Sequence, residues 1–319
     1  MAIAFIFPGQ GSQAVGMGRD LAAQFPAAKA VFDEVDAALN QKLSAIIFDG
    51  PIETLTLTEN AQPALMAVSV AVMRVLETEH GIKLGGPIKF VAGHSLGEYS
   101  ALASAGTFSL ADAARLLKLR GQAMQKAVPV GVGAMAALLG VGIDVARIVA
   151  AEAAQGDVCD VANDNDPTQV VLSGHKSAID RVAEIGKKHG VRRAMPLPVS
   201  APFHCALMKP AADAMAAALG KVQVHAPKIP LIANVTASPI SDPAEIKRCL
   251  VEQVTGTVRW RECMLAMASA GVTDVYEIGA GKVLTGLTGR IDKALRATQV
   301  GTPADIATAA AALTAATTG

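Results

Sequence analysis

Apolar positions along the chain follow two patterns, which alternate from the first residues to the last. Short continuous apolar runs are typical of buried strands, and apolar residues on one face of a 3.6-residue period are typical of helices. Strands are predicted at 2–7, 230–235, 274–278 and 298–300. Helices are predicted at 27–39, 63–79, 110–126, 205–219, 244–254, 259–269 and, as a fraying surface helix, from 304 onward. Strands that alternate with helices predict an α/β fold with a parallel sheet and helices on both faces.

The middle of the chain has a different order of elements. It predicts a strand at 134–141, a helix at 144–154, strands at 158–162 and 169–173, a helix at 177–189 and a strand at 192–199. This β-α-β-β-α-β order is that of the ferredoxin-like split βαβ unit. We therefore expect a small ferredoxin-like domain at 128–198, inserted in a larger α/β domain that is formed by 1–127 and 199–319.

A candidate nucleophile lies between a predicted strand and a predicted helix. The apolar run that starts at Ile88 ends at Gly93, and a helical pattern starts after Ser95. Gly93-x-Ser95-x-Gly97 therefore matches the G-x-S-x-G nucleophile elbow in the context that this motif requires. The sharp turn strains the serine backbone, and a glycine on either side leaves room for the chain. The hydroxyl of Ser95 then lies at a helix N-terminus, where unpaired N–H groups favour an oxyanion.

The loop after the first strand contains Pro8-Gly9-Gln10-Gly11, which together with Ala14 fits a dinucleotide-binding fingerprint. Pro8 removes an N–H donor where phosphate would bind, and Asp33, Glu34 and Asp36 lie in a helical pattern instead of closing a second strand. We therefore reject dinucleotide binding. The loop is instead predicted to offer a backbone N–H beside the elbow, because such a loop supplies the second oxyanion donor in hydrolase-like sites.

A serine nucleophile needs a base, and the chain has six histidines. His204 is the candidate, since a proline and a phenylalanine stiffen the segment 200–204 at the junction of the two predicted domains. His94 adjoins Ser95, so its side chain is predicted to point away from the serine. No acidic third member is evident, and a backbone carbonyl or an amide side chain is the alternative partner for the imidazole.

Arg120 gives an indication of the substrate. Its predicted helix is largely apolar, with Leu116, Leu117 and Met124 nearby, so this arginine is predicted to be partly buried. A buried guanidinium needs a fixed anion, and its fork of N–H donors fits a carboxylate in two hydrogen bonds. A substrate with a free carboxylate is therefore expected.

The composition narrows the class of protein. The 319 residues are 51% hydrophobic and 18% charged with no net charge, which indicates a globular protein without the basic surplus of nucleic-acid binders. The four cysteines form no C-x-x-C pair, so we do not expect a zinc site. Cysteines without a pairing pattern indicate a reducing compartment. We find no signal-peptide pattern, and the longest apolar region, 64–76, is too short to cross a membrane. We expect a cytoplasmic protein that binds neither membrane nor nucleic acid.

Several motifs together resemble the acyltransferase family of fatty acid and polyketide synthesis, which includes the malonyl-CoA:acyl carrier protein transacylases. The similarity covers nearly the whole chain. It depends on residues 7–12, 93–98, 120–124, 162–169, 200–204 and 277–284, and on Gln253 with Trp260. The resemblance implies an α/β-hydrolase-like domain that carries an inserted ferredoxin-like domain, in agreement with the order of elements above.

The resemblance also implies roles for individual residues. Ser95 would be the acyl-bearing nucleophile and His204 its base, and the backbone amides of Gln10 and Leu96 would form the oxyanion hole. Arg120 would bind the free carboxylate of the malonyl group.

Three further positions would shape the site. The main-chain carbonyl of Gln253 would orient the histidine, and Asn163 would line the cleft from the small domain. Phe203, with Leu96, resembles the malonyl-selective pattern, because a bulky ring leaves no room for an extra methyl group on the substrate. Cys205 and Ala280 depart from the usual family residues, with little effect expected.

The implied reaction transfers the malonyl group from malonyl-CoA to the phosphopantetheine thiol of acyl carrier protein, through a malonyl-serine intermediate in a ping-pong mechanism, and supplies fatty acid synthesis. No metal or redox cofactor is implied, and we expect a monomer. The alternatives are an acyl-thioester hydrolase, a freestanding polyketide-type acyltransferase and a non-catalytic carrier-protein-binding module. Arg120 argues against a hydrolase of neutral acyl groups, and the intact set of Ser95, His204 and Arg120 argues against a non-catalytic module.

Overall fold

The computed structural model describes residues 2–199 and 201–318, and Ser200, within the predicted junction, lies outside them. The strands are β1 (Ala2–Phe7), β2 (Ile88–Gly93), β3 (Gly133–Leu139), β4 (Cys159–Asp166), β5 (Gln169–His175), β6 (Arg193–Pro196), β7 (Leu231–Ile232), β8 (Pro239–Ile240), β9 (Val272–Ile278) and β10 (Arg296–Val300). The helices are α1 (Arg19–Gln24), α2 (Pro26–Leu39), α3 (Leu43–Asp49), α4 (Ile52–Thr56), α5 (Thr58–His80), α6 (Gly97–Ser104), α7 (Leu110–Ala127), α8 (Ile143–Ala154), α9 (Lys176–Lys188), α10 (Lys209–Leu219), α11 (Pro243–Gln253), α12 (Trp260–Ser269), α13 (Val283–Ile291) and α14 (Pro303–Thr318). A 3₁₀ turn, Ala206–Met208, precedes α10.

The larger sheet has six strands in the order β10-β9-β1-β2-β7-β8. All its pairs are parallel except β7 with β8. The central strand β1 is apolar throughout because helices cover both faces of the sheet, and its residues 3–7 are fully buried. Phe7 pairs with Gly93, so the loops that follow β1 and β2 leave the same edge of the sheet side by side. Ligands of parallel sheets bind at this carboxyl edge.

The smaller sheet is antiparallel, in the order β4-β5-β3-β6, and α8 and α9 pack on it around a hydrophobic core of their own. The predicted fold class is confirmed: an α/β architecture with a parallel-rich sheet and an added small antiparallel sheet. The domain boundaries at 127/128 and 198/199 stay a prediction. Two ion pairs join β4 to the larger unit, Asp164 with Arg261 of α12 and Asp166 with Arg290 of α13.

Some elements differ from their predictions. Helix α5 begins at Thr58, before the predicted start, and Pro63 lies inside it. Strand β7 is only two residues long because the chain turns at once, with the N–H of Ala237 donating to the carbonyl of Ala233. The helix α14 buries Ile306 and Leu313, so it is packed along one face and is not a purely surface helix. The short helices α1, α3 and α4 were not predicted.

Candidate active site

The turn between β2 and α6 has the geometry of a nucleophile elbow. Ser95 has a backbone φ of 53°, the left-handed region that a residue with a side chain rarely adopts. A Cβ atom on Gly93 would lie 1.9 Å from the carbonyl carbon of Gly97, and one on Gly97 would lie 2.3 Å from the carbonyl oxygen of Phe7. Both glycines are therefore required, because the start of α6 packs against the end of β2 on one side and the end of β1 on the other.

Asn234, two residues after the end of β7, holds the elbow in place. Its Oδ1 accepts a hydrogen bond from the N–H of Ser95 at 2.9 Å, and its Nδ2 donates to the carbonyl of Gly93 at 2.8 Å. These two bonds clamp both sides of the strained residue. Sequence reasoning missed Asn234, because its amide acts on backbone groups that lie far away in the chain.

Ser95 and His204 are in direct contact. The Oγ of Ser95 lies 2.7 Å from Nε2 of His204, and Nδ1 of His204 donates to the main-chain carbonyl of Gln253 at 2.8 Å. Burial, assisted by the charge of Arg120, lowers the pKa of His204 to about 3. The imidazole is therefore neutral, and its free Nε2 can accept the proton of the serine hydroxyl.

Arg120 reaches the same serine from α7. It is 1% exposed and donates from Nη1 to Oε1 of Gln62 at 2.7 Å, and from Nη2 to Oε1 of Gln253 at 2.9 Å and to Oγ of Ser95 at 3.2 Å. It is more deeply buried than predicted, and burial lowers its pKa. Within residues 2–199 and 201–318 it has no direct carboxylate partner, and its buried Nε–H has no acceptor. The charge of Arg120 is therefore available to an anionic group beside Ser95.

The loop after β1 lies against the elbow, with the N–H of His94 donating to the carbonyl of Phe7 at 3.0 Å. Gln10 in this loop accepts a hydrogen bond from Oγ1 of Thr58 at 2.9 Å. The backbone N–H groups of Gln10 and Leu96 donate to nothing in the described part of the chain. Gln10 and Leu96 line the same cavity as Ser95, so both amides are available as donors to an oxyanion there.

These groups surround one cavity of about 290 Å³ between the carboxyl edge of the larger sheet and the smaller sheet. Asn163 of β4 and Phe203 line it, and Met124, Met135 and Leu197 add apolar walls. Of the predicted site residues, the cavity is lined by Gln10, Ser95, Leu96, Arg120, Asn163, Phe203 and His204. Gln253 is fully buried behind the cavity, where it contacts Arg120 and His204. Gln253 supports these two side chains and does not line the cavity.

Two more polar side chains lie beside the site: Glu98, which was not assigned from sequence, and His94, which was predicted to point away from the serine. Glu98 on α6 is 1% exposed, and burial raises its pKa to about 8, against the opposing effects of hydrogen bonds from Asn234 and Gln253 and of the Arg120 charge. His94 points its Nε2 to Oδ1 of Asn165, at 2.9 Å, and its ring packs on Trp260, so it contacts the small sheet and not the serine. Burial lowers the pKa of His94 as well.

The described residues contain no cluster of three or more His, Cys, Asp or Glu side chains that could bind a metal ion. Across 2–199 and 201–318, no helix is both long and apolar enough to cross a membrane.

Comparison with known proteins agrees with this geometry. The sequence profile described as "Acyl transferase domain" matches residues 4–310. A malonyl CoA-acyl carrier protein transacylase from Escherichia coli O157:H7 is 48% identical over 308 residues, 96% of this chain and 98% of that protein. The crystal structure of an acyl-carrier-protein-S-malonyltransferase from Bartonella henselae is 55% identical, with a TM-score of 0.96 over 98% of this chain and 100% of that one.

A third relative was solved with a partner. It is a malonyl-transacylase in complex with its type II polyketide synthase acyl carrier protein, 42% identical, with a TM-score of 0.94 over 98% of this chain and 100% of that one. The profile spans nearly the whole chain, and the relatives are similar to it over nearly their full length. The chain belongs to the acyl transferase domain family and is an acyltransferase.

Proposed function

We propose that the protein transfers a malonyl group from malonyl-CoA to the phosphopantetheine thiol of an acyl carrier protein, through an ester on Ser95. One observation carries the choice of acyl group: a buried, unneutralised guanidinium lies 3.2 Å from the hydroxyl of the nucleophile. A carboxylate on the acyl chain satisfies that charge, and a neutral acyl group leaves it unpaired. The names of the relatives, and the carrier protein bound to one of them, support the same substrates.

In the first half-reaction, Oγ of Ser95 attacks the thioester carbonyl while Nε2 of His204 takes its proton. The oxyanion accepts hydrogen bonds from the N–H groups of Gln10 and Leu96. The carbon–sulfur bond then breaks, and the coenzyme A thiolate leaves with the proton from His204. In the second half-reaction, the carrier thiol gives its proton to His204 and attacks the ester, and Ser95 regains its proton as it leaves.

Arg120 binds the malonyl carboxylate in this scheme, and Phe203 with Leu96 forms the wall beside the central carbon of the malonyl group. An extra methyl group there would meet the phenyl ring, which discriminates by about 1–3 kcal/mol. Asn163 contacts the ligand from the small sheet. Neither half-reaction calls for a metal or redox cofactor. The product is the malonyl carrier protein used in fatty acid synthesis, and one polypeptide supplies every group, which is consistent with a monomer.

Intact-mass measurement after brief incubation with malonyl-CoA tests the proposal. We expect one malonyl adduct on the wild-type protein, no adduct on Ser95→Ala, and discharge of the adduct when holo acyl carrier protein is added. Free malonate without an adduct would instead indicate a hydrolase. The proposal would be contradicted if a malonyl adduct still formed on Ser95→Ala, or if the carrier protein did not discharge the adduct on the wild-type protein.

A further inference from the structure

The reaction described above makes no use of Glu98, a carboxylate buried directly behind the nucleophile. It lies in the first turn of α6 and is 1% exposed. Its Oε1 accepts a hydrogen bond from the backbone N–H of Asn234 at 2.5 Å, and its Oε2 accepts one from Nε2 of Gln253. In the described chain no lysine or arginine forms a direct ion pair with it. A buried carboxyl group held by two N–H donors needs a reason beyond packing, because a carboxylate is unfavourable in a buried site without a cation beside it.

The amide of Gln253 connects this carboxylate to Arg120. On one side its Nε2 donates to Oε2 of Glu98 and to the carbonyl oxygen of Ser95, the latter at 2.9 Å. On the other side its Oε1 accepts from Nη2 of Arg120 at 2.9 Å. Amide nitrogen and oxygen are nearly equal in shape, so only their partners decide which way the amide points. Rotated by half a turn, it would set its own N–H₂ against the guanidinium and its oxygen against the carboxylate.

We propose that Glu98 is a positioning residue for acyl selectivity: by holding the Gln253 amide in one orientation, it fixes the Arg120 guanidinium where a substrate carboxylate meets it beside Ser95. This inference rests on the proposed function, because it concerns the group that binds the malonyl carboxylate. Burial raises the pKa of Glu98 to about 8, and the two hydrogen bonds and the charge of Arg120 oppose this rise by favouring the ionised form. Because the Gln253 amide lies between the two groups, Glu98 does not pair with the guanidinium directly, and Arg120 keeps its N–H donors for the substrate.

The pattern of donors shows why glutamine cannot replace Glu98. Both carboxylate oxygens accept from N–H groups, and a glutamine side chain has one oxygen and one N–H₂. In Glu98→Gln, one of the donors, Asn234 N–H or Gln253 N–H₂, must therefore face another N–H₂. The substitution preserves the volume of the side chain, so we expect the fold to be retained, but the Gln253 amide loses its preferred orientation.

The experiment measures kcat and KM for loading of Ser95 with malonyl-CoA and, separately, with acetyl-CoA. In Glu98→Gln we expect the malonyl-to-acetyl ratio of kcat/KM to fall about tenfold, the effect of weakening one hydrogen bond to a charged group. Arg120→Ala is the reference variant, because it gives the malonyl-to-acetyl ratio of kcat/KM when the contact with the substrate carboxylate is absent. Acetyl loading changes less, because it uses Ser95 and His204 but not Arg120.

Glu277 offers a matched control. It is also a fully buried glutamate that accepts backbone N–H groups, those of Leu284 and Thr285, and burial raises its pKa too. It lies at the end of β9 and has no contact with Arg120, so Glu277→Gln is expected to keep the wild-type ratio. If Glu98→Gln lowered kcat/KM equally for malonyl-CoA and acetyl-CoA, or changed neither value, the ratio would stay the same and the inference would be overturned. A merely structural role would not separate the two acyl groups.

A second variant keeps the test decisive if Glu98→Gln unfolds. Gln253→Met removes the amide and leaves Glu98 in place, so it is expected to lower the malonyl-to-acetyl ratio on its own. Adding Glu98→Gln to Gln253→Met should then change the ratio no further. A retained ratio in Gln253→Met, or a further independent loss in the double variant, would refute action through Gln253. If wild type forms no malonyl adduct, the proposed function fails first and this inference fails with it.

Discussion

Arg120 and His204 both approach the hydroxyl of Ser95, and two positive charges are not tolerated in so small a buried space. The arginine keeps its charge because its ordinary pKa is far higher, and burial together with that charge holds the histidine neutral. The same guanidinium that is proposed to select the substrate thus also helps to keep the base free of its proton. Selectivity and basicity are coupled at these two side chains.

This coupling predicts the pH dependence of loading. Burial and Arg120 lower the pKa of His204 from 6.5 to about 3, so the rate of Ser95 acylation should not fall as the pH drops through 6.5. Arg120→Ala removes the neighbouring charge and admits water, so it should raise the pKa of His204 and move the acid limb to higher pH. The measurement is acetyl loading against pH, since acetyl-CoA has no carboxylate that Arg120 must bind.

The same shift acts on stability with a defined sign. Between pH 6.5 and about pH 3 the unfolded chain protonates His204 and the folded chain does not, so this residue destabilises the fold as the pH falls through that window.

The pH profile of acetyl loading can contradict the coupling of Arg120 and His204. If the acid limb of the wild-type profile lay near pH 6.5, or if Arg120→Ala left that limb in place, the buried cation would not act on the base.

Among the elements, the β2–α6 turn depends most strictly on its sequence. In Gly97→Ala the new methyl group would lie 2.3 Å from the carbonyl oxygen of Phe7, so β1 or α6 must shift. We expect the free energy of unfolding to fall by about 3 kcal/mol, as for severe overpacking, with loss of Ser95 acylation. Urea unfolding measures the first and intact mass the second.

Gly286 in the middle of α13 is the control for this substitution. A Cβ atom there would meet nothing within 4 Å, so Gly286→Ala should stabilise the protein by about 0.5–1 kcal/mol through helix propensity. Equal effects of the two alanines would mean that the close approach of α6 to β1 is not what requires glycine at position 97.

Elements that carry their own signal were predictable, and those that depend on distant partners were not. The apolar run of β1 and the glycines around Ser95 encode their structure locally, and both were predicted. Pro63 looked like the start of a helix, yet α5 continues through it from Thr58, because proline removes only one hydrogen bond and a buried position repays that loss. Local propensity does not reveal such tertiary effects.

The residues of the candidate site also differ in whether the sequence around them carries a local signal. Ser95, His204 and Arg120 were found from motifs and from the chemistry of their residue types. Gln62 and Asn234 were missed because they act only through partners 58 and 139 residues away in the chain. A neutral amide gives no sign in the sequence of whether it faces solvent or holds a catalytic group.

At the scale of the whole molecule, buried carboxylates of β4 join the two sheets. Asp164 is fully buried against Arg261 of α12 at 2.9 Å, and burial raises its pKa while Arg261 lowers it. Arg261→Ala leaves this carboxyl without its partner, so we expect the free energy of unfolding to fall by about 2–3 kcal/mol. The KM for malonyl-CoA should also rise, because Asn163, the adjacent residue, lines the cavity. Urea unfolding and loading kinetics measure the two effects.

An exposed ion pair provides the comparison. Lys209 and Asp213 on α10 are both largely solvent-accessible, so Lys209→Ala should change stability by less than about 1 kcal/mol. If Arg261→Ala changed stability no more than Lys209→Ala, the buried pair would not be what fastens the small sheet to the large one.

The central place of β1 has a consequence for how the protein is made. One neighbour of this strand, β2, follows it within the first hundred residues of the sequence, but the other neighbour, β9, begins only at Val272. At about 5–20 residues per second, one edge of β1 waits on the order of ten seconds for its partner. During that time it is an unpaired apolar edge, the kind of surface that chaperones cover and that aggregates when they do not. A nascent chain that already contains Ser95, Arg120 and His204 therefore still lacks a closed sheet on which to align them.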